Sequence, residues 1–90
     1  MKLLFIFLTI TLNAHAISLN SIVYVSANMQ GGKELILTDD SKWEVDPEDQ
    51  AVSEFWIGSF PIKISLEGSK EYPYLLKSIH SQKKVKARPL

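Results

Sequence analysis

The residues of this chain that could do chemistry are few. Beyond residue 16 there is one histidine, His80, with Ser78 and Ser81 beside it in sequence. General acid–base catalysis needs a positioned partner and a cleft, and a nucleophilic triad is defined by geometry in space, not by sequence proximity. His80 falls in an expected turn and reads as a surface residue. No Gly-x-Ser-x-Gly elbow, His-Glu-x-x-His pair or phosphate-binding glycine loop occurs. Asp39, Asp40, Asp46, Glu48 and Asp49 form an acidic group that could attract Ca²⁺, but their spacing does not match an EF-hand loop. Turn chemistry accounts for Asp39 and Asp40, and helix capping for the other three. The chain has no Cys, which excludes disulfides, thiolate metal sites and a Cys nucleophile. The expectation is a protein without catalytic residues, metal or cofactor.

Two stretches have the composition of binding surfaces instead. Lys84, Lys86 and Arg88 alternate, so they share the outward face of a terminal strand and could meet an anionic ligand. The competing explanation is that lysines on an edge strand deter sheet-to-sheet aggregation, with Pro89 stopping further pairing. The second stretch is Tyr72-Pro73-Tyr74-Leu75-Leu76, continuing to Ile79. Tyr72, Tyr74 and Leu76 share one strand face; Pro73, Leu75 and Ile79 share the other. Both faces are apolar, so either the helix covers one of them or a protein partner or a second copy does. Tyr72, Tyr74, Leu75, Leu76 and Ile79 are therefore the candidate partner-binding residues.

The elements that must position these residues are mostly strands. In residues 60–67, Phe60, Ile62, Ile64 and Leu66 alternate with Pro61, Lys63, Ser65 and Glu67, the pattern of a half-buried strand. Trp43 and Val45 face inward on another strand, and Val85 and Ala87 on a third. Further strands are expected at Ile22–Val25, Leu35–Thr38 and Tyr72–Ile79. Gly31-Gly32, Asp39-Asp40-Ser41, Glu67-Gly68-Ser69 and His80-Ser81-Gln82 supply turn chemistry between them. One segment departs from this period. Asp46 can cap a helix that Pro47, Glu48 and Asp49 open, Ala51, Val52 and Phe55 fall on one helical face, and Gly58 ends it. The expected fold is mostly β: a small five- or six-stranded barrel, SH3-like or OB-like, with one short helix between the third and fourth strands.

Residues 1–16 have a separate character. Lys2 precedes the apolar run Leu3–Leu12, and Ala14-His15-Ala16 gives a small-x-small cleavage pattern. This is the form of a secretory signal peptide, cleaved after Ala16, leaving residues 17–90 as one domain. The run is shorter than the about 20 residues that a membrane-spanning helix requires, so no transmembrane anchor is expected after cleavage. Its form suits a bacterial periplasmic or secreted protein. Without Lys2 the remaining 74 residues carry nine basic and ten acidic side chains, a balance that asks for no polyanionic partner.

The stretch Leu35 to Ala87 resembles a group of small, uncharacterised exported bacterial proteins. The residues that carry the likeness are Asp39-Asp40-Ser41-Lys42-Trp43-Glu44-Val45, Asp46-Pro47, Phe55-Trp56-Ile57-Gly58-Ser59, Ile62-Lys63-Ile64, Tyr72-Pro73-Tyr74-Leu75-Leu76 and Val85-Lys86-Ala87. Asp40 stands where the group has a turn Gly, and Ser59 where it has Asp. These are fold-making motifs, so the resemblance implies an architecture and assigns no activity. The functional expectation is an exported, non-enzymatic binding or assembly module of the cell envelope or extracellular space. A polyanion or oligonucleotide binder using the basic C-terminal strand is the alternative, export arguing against the oligonucleotide; a small hydrolase is a further one.

Overall fold

The computed structural model describes residues 17–90. The expected signal peptide and its cleavage site, residues 1–16, lie outside the described residues. Six strands form a closed barrel: β1 (Ile22–Met29), β2 (Glu34–Leu37), β3 (Lys42–Val45), β4 (Phe60–Ser65), β5 (Tyr74–Ser78) and β6 (Lys84–Pro89). The order around the barrel is β1-β2-β3-β6-β5-β4, every adjacent pair is antiparallel, and β4 closes on β1. Two three-stranded meanders are thus joined edge to edge.

Closure depends on β1. Its first half, Ile22–Val25, pairs with β4; its second half, Val25–Met29, pairs with β2. The register shifts between Val25 and Ala27, and a bulge of this kind bends a strand sharply enough for it to serve two neighbours.

Period-two alternation fills the interior. Val23 and Val25, Leu35 and Leu37, Trp43 and Val45, Ile62 and Ile64, Leu76, and Val85 and Ala87 are all buried. Leu66 departs from the expected pattern: β4 ends at Ser65, and Leu66 lies exposed beyond it. Trp43 is the largest fully buried side chain, and its ring meets Tyr74 edge-on at 5.0 Å. Its indole N–H donates to Ser41 Oγ at 2.8 Å, and the Ser41 hydroxyl and amide both donate to Asp39 Oδ1. The β2–β3 turn therefore supplies the polar partner that a buried indole requires. Asp40 takes φ +68° in this turn, the left-handed conformation that explains why Gly suits the position.

Between β3 and β4 the chain forms a short 3₁₀ turn, Pro47–Asp49, then α1, Gln50–Ser53. Asp46 caps it as expected, its Oδ1 accepting from the Glu48 amide at 3.0 Å. The buried face, however, is not Ala51, Val52 and Phe55. The helix is too short to sustain an i, i+4 stripe, and Ser53 and Trp56 turn inward instead, while Ala51 and Phe55 are exposed and Val52 is half-buried. The docking is polar. Ser53 Oγ donates to the Gly32 carbonyl at 2.7 Å, and Asn28 Nδ2 donates to the Ser53 and Trp56 carbonyls at 2.8 and 2.9 Å. Gly32 makes the close approach possible: at φ +91° it is buried under the helix end, where a Cβ would collide with the Glu54 backbone.

Candidate functional site

Closing the barrel changes the standing of both expected surfaces. β6 is not an edge strand. It pairs with β5 through Lys84–Ala87 and with β3 through Ala87–Pro89, and Pro89 lies within that pairing, so β6 is not the free edge that the edge-protection explanation requires. Lys84, Lys86 and Arg88 do point outward, but two of them are committed. Lys86 Nζ lies 3.2 Å from Asp49 Oδ2 and 3.7 Å from Asp46 Oδ2, and its amide donates to Asp49 Oδ2 at 2.8 Å. Arg88 pairs with Glu44 at 3.0 Å and Glu71 at 3.8 Å, and its guanidinium lies over the Tyr72 ring at 4.6 Å. The hydrogen bond that Lys86 donates to Asp49 raises the pKa of its ammonium above the ordinary value, and the one Arg88 donates to Glu44 does the same for its guanidinium. Of the three residues of the expected stripe, Lys86 and Arg88 are held in ion pairs and Lys84 makes none with a described residue.

The expected apolar strand divides between the core and the surface. β5 runs only from Tyr74 to Ser78, with Tyr72 before it and Ile79 after it. Leu76 is fully buried in the core, Tyr72 is buried under Arg88, and Tyr74 packs on Trp43. Leu75 and Ile79 are half-buried. Leu76 therefore belongs to the core, Tyr74 packs against it, and Tyr72 lies outside it beneath the outward-pointing Arg88, so the five residues do not share one surface.

The residues with chemical potential do not converge. Ser78 is buried, and its Oγ accepts from the Ser81 hydroxyl at 2.9 Å and the Ser81 amide at 3.1 Å, while His80 is exposed in the turn. The acidic group divides: Asp39 serves Ser41, while Asp46, which caps the 3₁₀ turn, and Asp49 both face Lys86. Asp39 feels two opposed effects. Burial raises its pKa, but the hydrogen bonds from Ser41 and Ser18 together hold it below the ordinary 3.8. Among the described residues no group of three or more His, Asp or Glu side chains comes together as a metal site, and no helix is long and apolar enough to cross a membrane.

The concave apolar surface lies elsewhere, where α1 meets the start of β4 and the β5–β6 turn. A groove of about 360 Å³ is lined by Val52, Phe55, Trp56 and Phe60 together with Ser81 and Lys83. Trp56 and Phe60 are stacked, ring centroids 5.3 Å apart and planes 14° from parallel. Trp56 is itself nearly buried, anchored through Asn28 on its carbonyl. Phe55 beside it is 71% exposed, and Ile57 is 64% exposed. An apolar groove with one hydroxyl and one cation is the usual make-up of a site that takes an apolar side chain and orients it by a few polar contacts.

The sequence marks Val52, Phe55, Trp56 and Phe60 as helix, strand or motif residues, and none of the groove residues as partner-binding. A signal was nevertheless present: in Phe55-Trp56-Ile57-Gly58 three large apolar residues are consecutive, and a short segment cannot bury all three. Compared with family models, with curated proteins and with solved structures, the chain matches none of them.

Proposed function

We propose that this chain is an exported, non-enzymatic binding module whose working surface is the aromatic groove at the helix end of the barrel. Its occupant is a segment of a partner polypeptide that inserts an aromatic or aliphatic side chain. The observation that carries this reading is the stacked Trp56–Phe60 pair opening beside an exposed Phe55. Leaving a Phe ring in water forgoes burial worth about 1.5–3 kcal/mol, and exposed aromatic side chains next to a pocket are the residue types that dominate protein interfaces. The form of residues 1–16 supports export. The absence of an enzymatic role is supported by the engagement of Ser78 with Ser81 and by the isolation of His80.

A peptide library displayed on phage and panned on the immobilised protein tests the reading. Recovered sequences should share an aromatic or aliphatic anchor and should bind Phe55→Ala at least tenfold more weakly. Sequences that bind both proteins equally would contradict it. So would concentration-dependent self-association in sedimentation that Phe55→Ala abolishes, because the occupant would then be a second copy.

A further inference from the structure

The register of the barrel creates a feature that no local segment contains. Lys63 on β4 stands directly opposite Lys77 on β5, and Lys77 stands directly opposite Lys84 on β6. All three belong to the outward face, since their strand neighbours Ile62, Ile64, Leu76 and Val85 are the buried ones. The side chains therefore form a single row across three adjacent strands, at the interstrand spacing of about 4.8 Å.

Like charges directly opposite one another destabilise a sheet, so such a row carries a standing cost. The barrel does not relieve it. Every ion pair among the described residues uses Lys86 or Arg88, none uses Lys63, Lys77 or Lys84, and residues 1–16 contain no Asp or Glu. Nor does edge protection explain Lys63 and Lys77, because both stand where their strands are paired on both sides.

The row also has a built setting. The three lysines line a shallow depression of about 200 Å³ together with Asn20, Ser65 and Glu67. Asn20 is held there by its amide, which donates to the Ile64 carbonyl at 2.8 Å, and Ser65 Oγ donates to Glu67 Oε1 at 3.3 Å. We propose that the Lys63–Lys77–Lys84 row is a binding site for a compact, multiply charged soluble oxyanion of the phosphate or diphosphate class. Lys ammonium groups on flexible stems can converge on one such group as point charges, and Asn20 adds a neutral amide donor.

Two features limit the ligand to a compact one. Glu67 lines the same depression and places a carboxylate beside the lysine row, which opposes extension of an anionic ligand toward it. Along β6 the next basic residues, Lys86 and Arg88, are already neutralised by acidic partners, so the positive surface does not continue into a track for a polymer.

The test is a titration of the protein with sodium pyrophosphate, with sodium chloride at matched ionic strength as the control. It is followed by melting temperature and by ¹⁵N shifts at Lys63, Lys77 and Lys84. Pyrophosphate should raise the melting temperature and move those three signals. Lys63→Gln/Lys77→Gln/Lys84→Gln should weaken binding at least tenfold while melting no lower than the native protein, since the repulsion is gone. Lys77→Gln alone should weaken it severalfold, and Lys42→Gln should leave it unchanged. Equal responses to pyrophosphate and chloride would overturn the proposal, as would a triple variant that binds like the native protein. Binding only to phosphatidic acid vesicles, or only to a sulfated polysaccharide, would also overturn it by assigning the row to a membrane or a polymer.

Discussion

The two tryptophans of this barrel are both buried, and their surroundings differ in kind. Trp43 lies at the centre of the core with every need met internally: its indole N–H bonds to Ser41, Ser41 bonds to Asp39, and its ring meets Tyr74. Trp56 lies at one end, held by its backbone through Asn28, with a stacking partner and a groove that open to solvent. The first environment is closed on itself and explains stability. The second leaves apolar surface uncovered next to a rigid anchor, which is how a fold presents a binding surface without loosening its core.

The sharpest way to break this contrast is to truncate the first tryptophan. Trp43→Ala should cost about 3–5 kcal/mol, the range for a large aromatic lost from a packed core. In a domain of this size that removes most of the cooperative melting transition. A fall of only a degree or two would mean that Trp43 is not the centre of the fold.

Anchoring of the second tryptophan can be tested with less damage. Asn28→Ala leaves the Ser53 and Trp56 carbonyls without their donor and should cost about 1–3 kcal/mol. Hydrogen exchange of the amides in residues 50–58 should accelerate in this variant. Unchanged exchange would show that packing alone holds the segment.

A smaller effect separates the two environments by pH. The folded pKa of Asp39 lies below the ordinary 3.8, so its stabilising contribution is complete above that value and is lost as pH falls through the folded pKa. Acid should therefore weaken the Trp43 side of the barrel, and Asp39→Asn should flatten the dependence of melting temperature on pH below about 4. An identical acid profile in the variant would remove Asp39 from the Trp43 network.

Much of the architecture was legible because it rests on local periodicity. The Trp43 and Ile62 strands, the Asp39–Ser41 turn and the Asp46 cap each depend on residues within a few positions of one another. Two features were misread because they depend on length. A four-residue helix cannot carry the face that Ala51, Val52 and Phe55 would share in a longer one. Likewise Leu66 lies past the end of the strand whose alternation it continues. The surfaces were the least legible part, because they are products of closure and register. Alternation marks Lys84, Lys86 and Arg88 as outward, but only the pairing of β3 with β6 brings Glu44 to Arg88, and only the β4–β5–β6 register lines up Lys63, Lys77 and Lys84.

The smallest expected stability change accompanies the most informative measurement. Phe55→Ala removes an exposed ring and should alter stability by no more than about 0.5 kcal/mol. N-acetyl-phenylalaninamide, titrated into the native protein and this variant while both indole N–H signals are followed by NMR, then tests the central claim. The Trp56 signal should move progressively in the native protein and hardly at all in Phe55→Ala, with Trp43 unchanged in both. Equal movement of the two indoles, or movement of neither, would contradict the assignment of the Trp56–Phe60 groove as the binding surface.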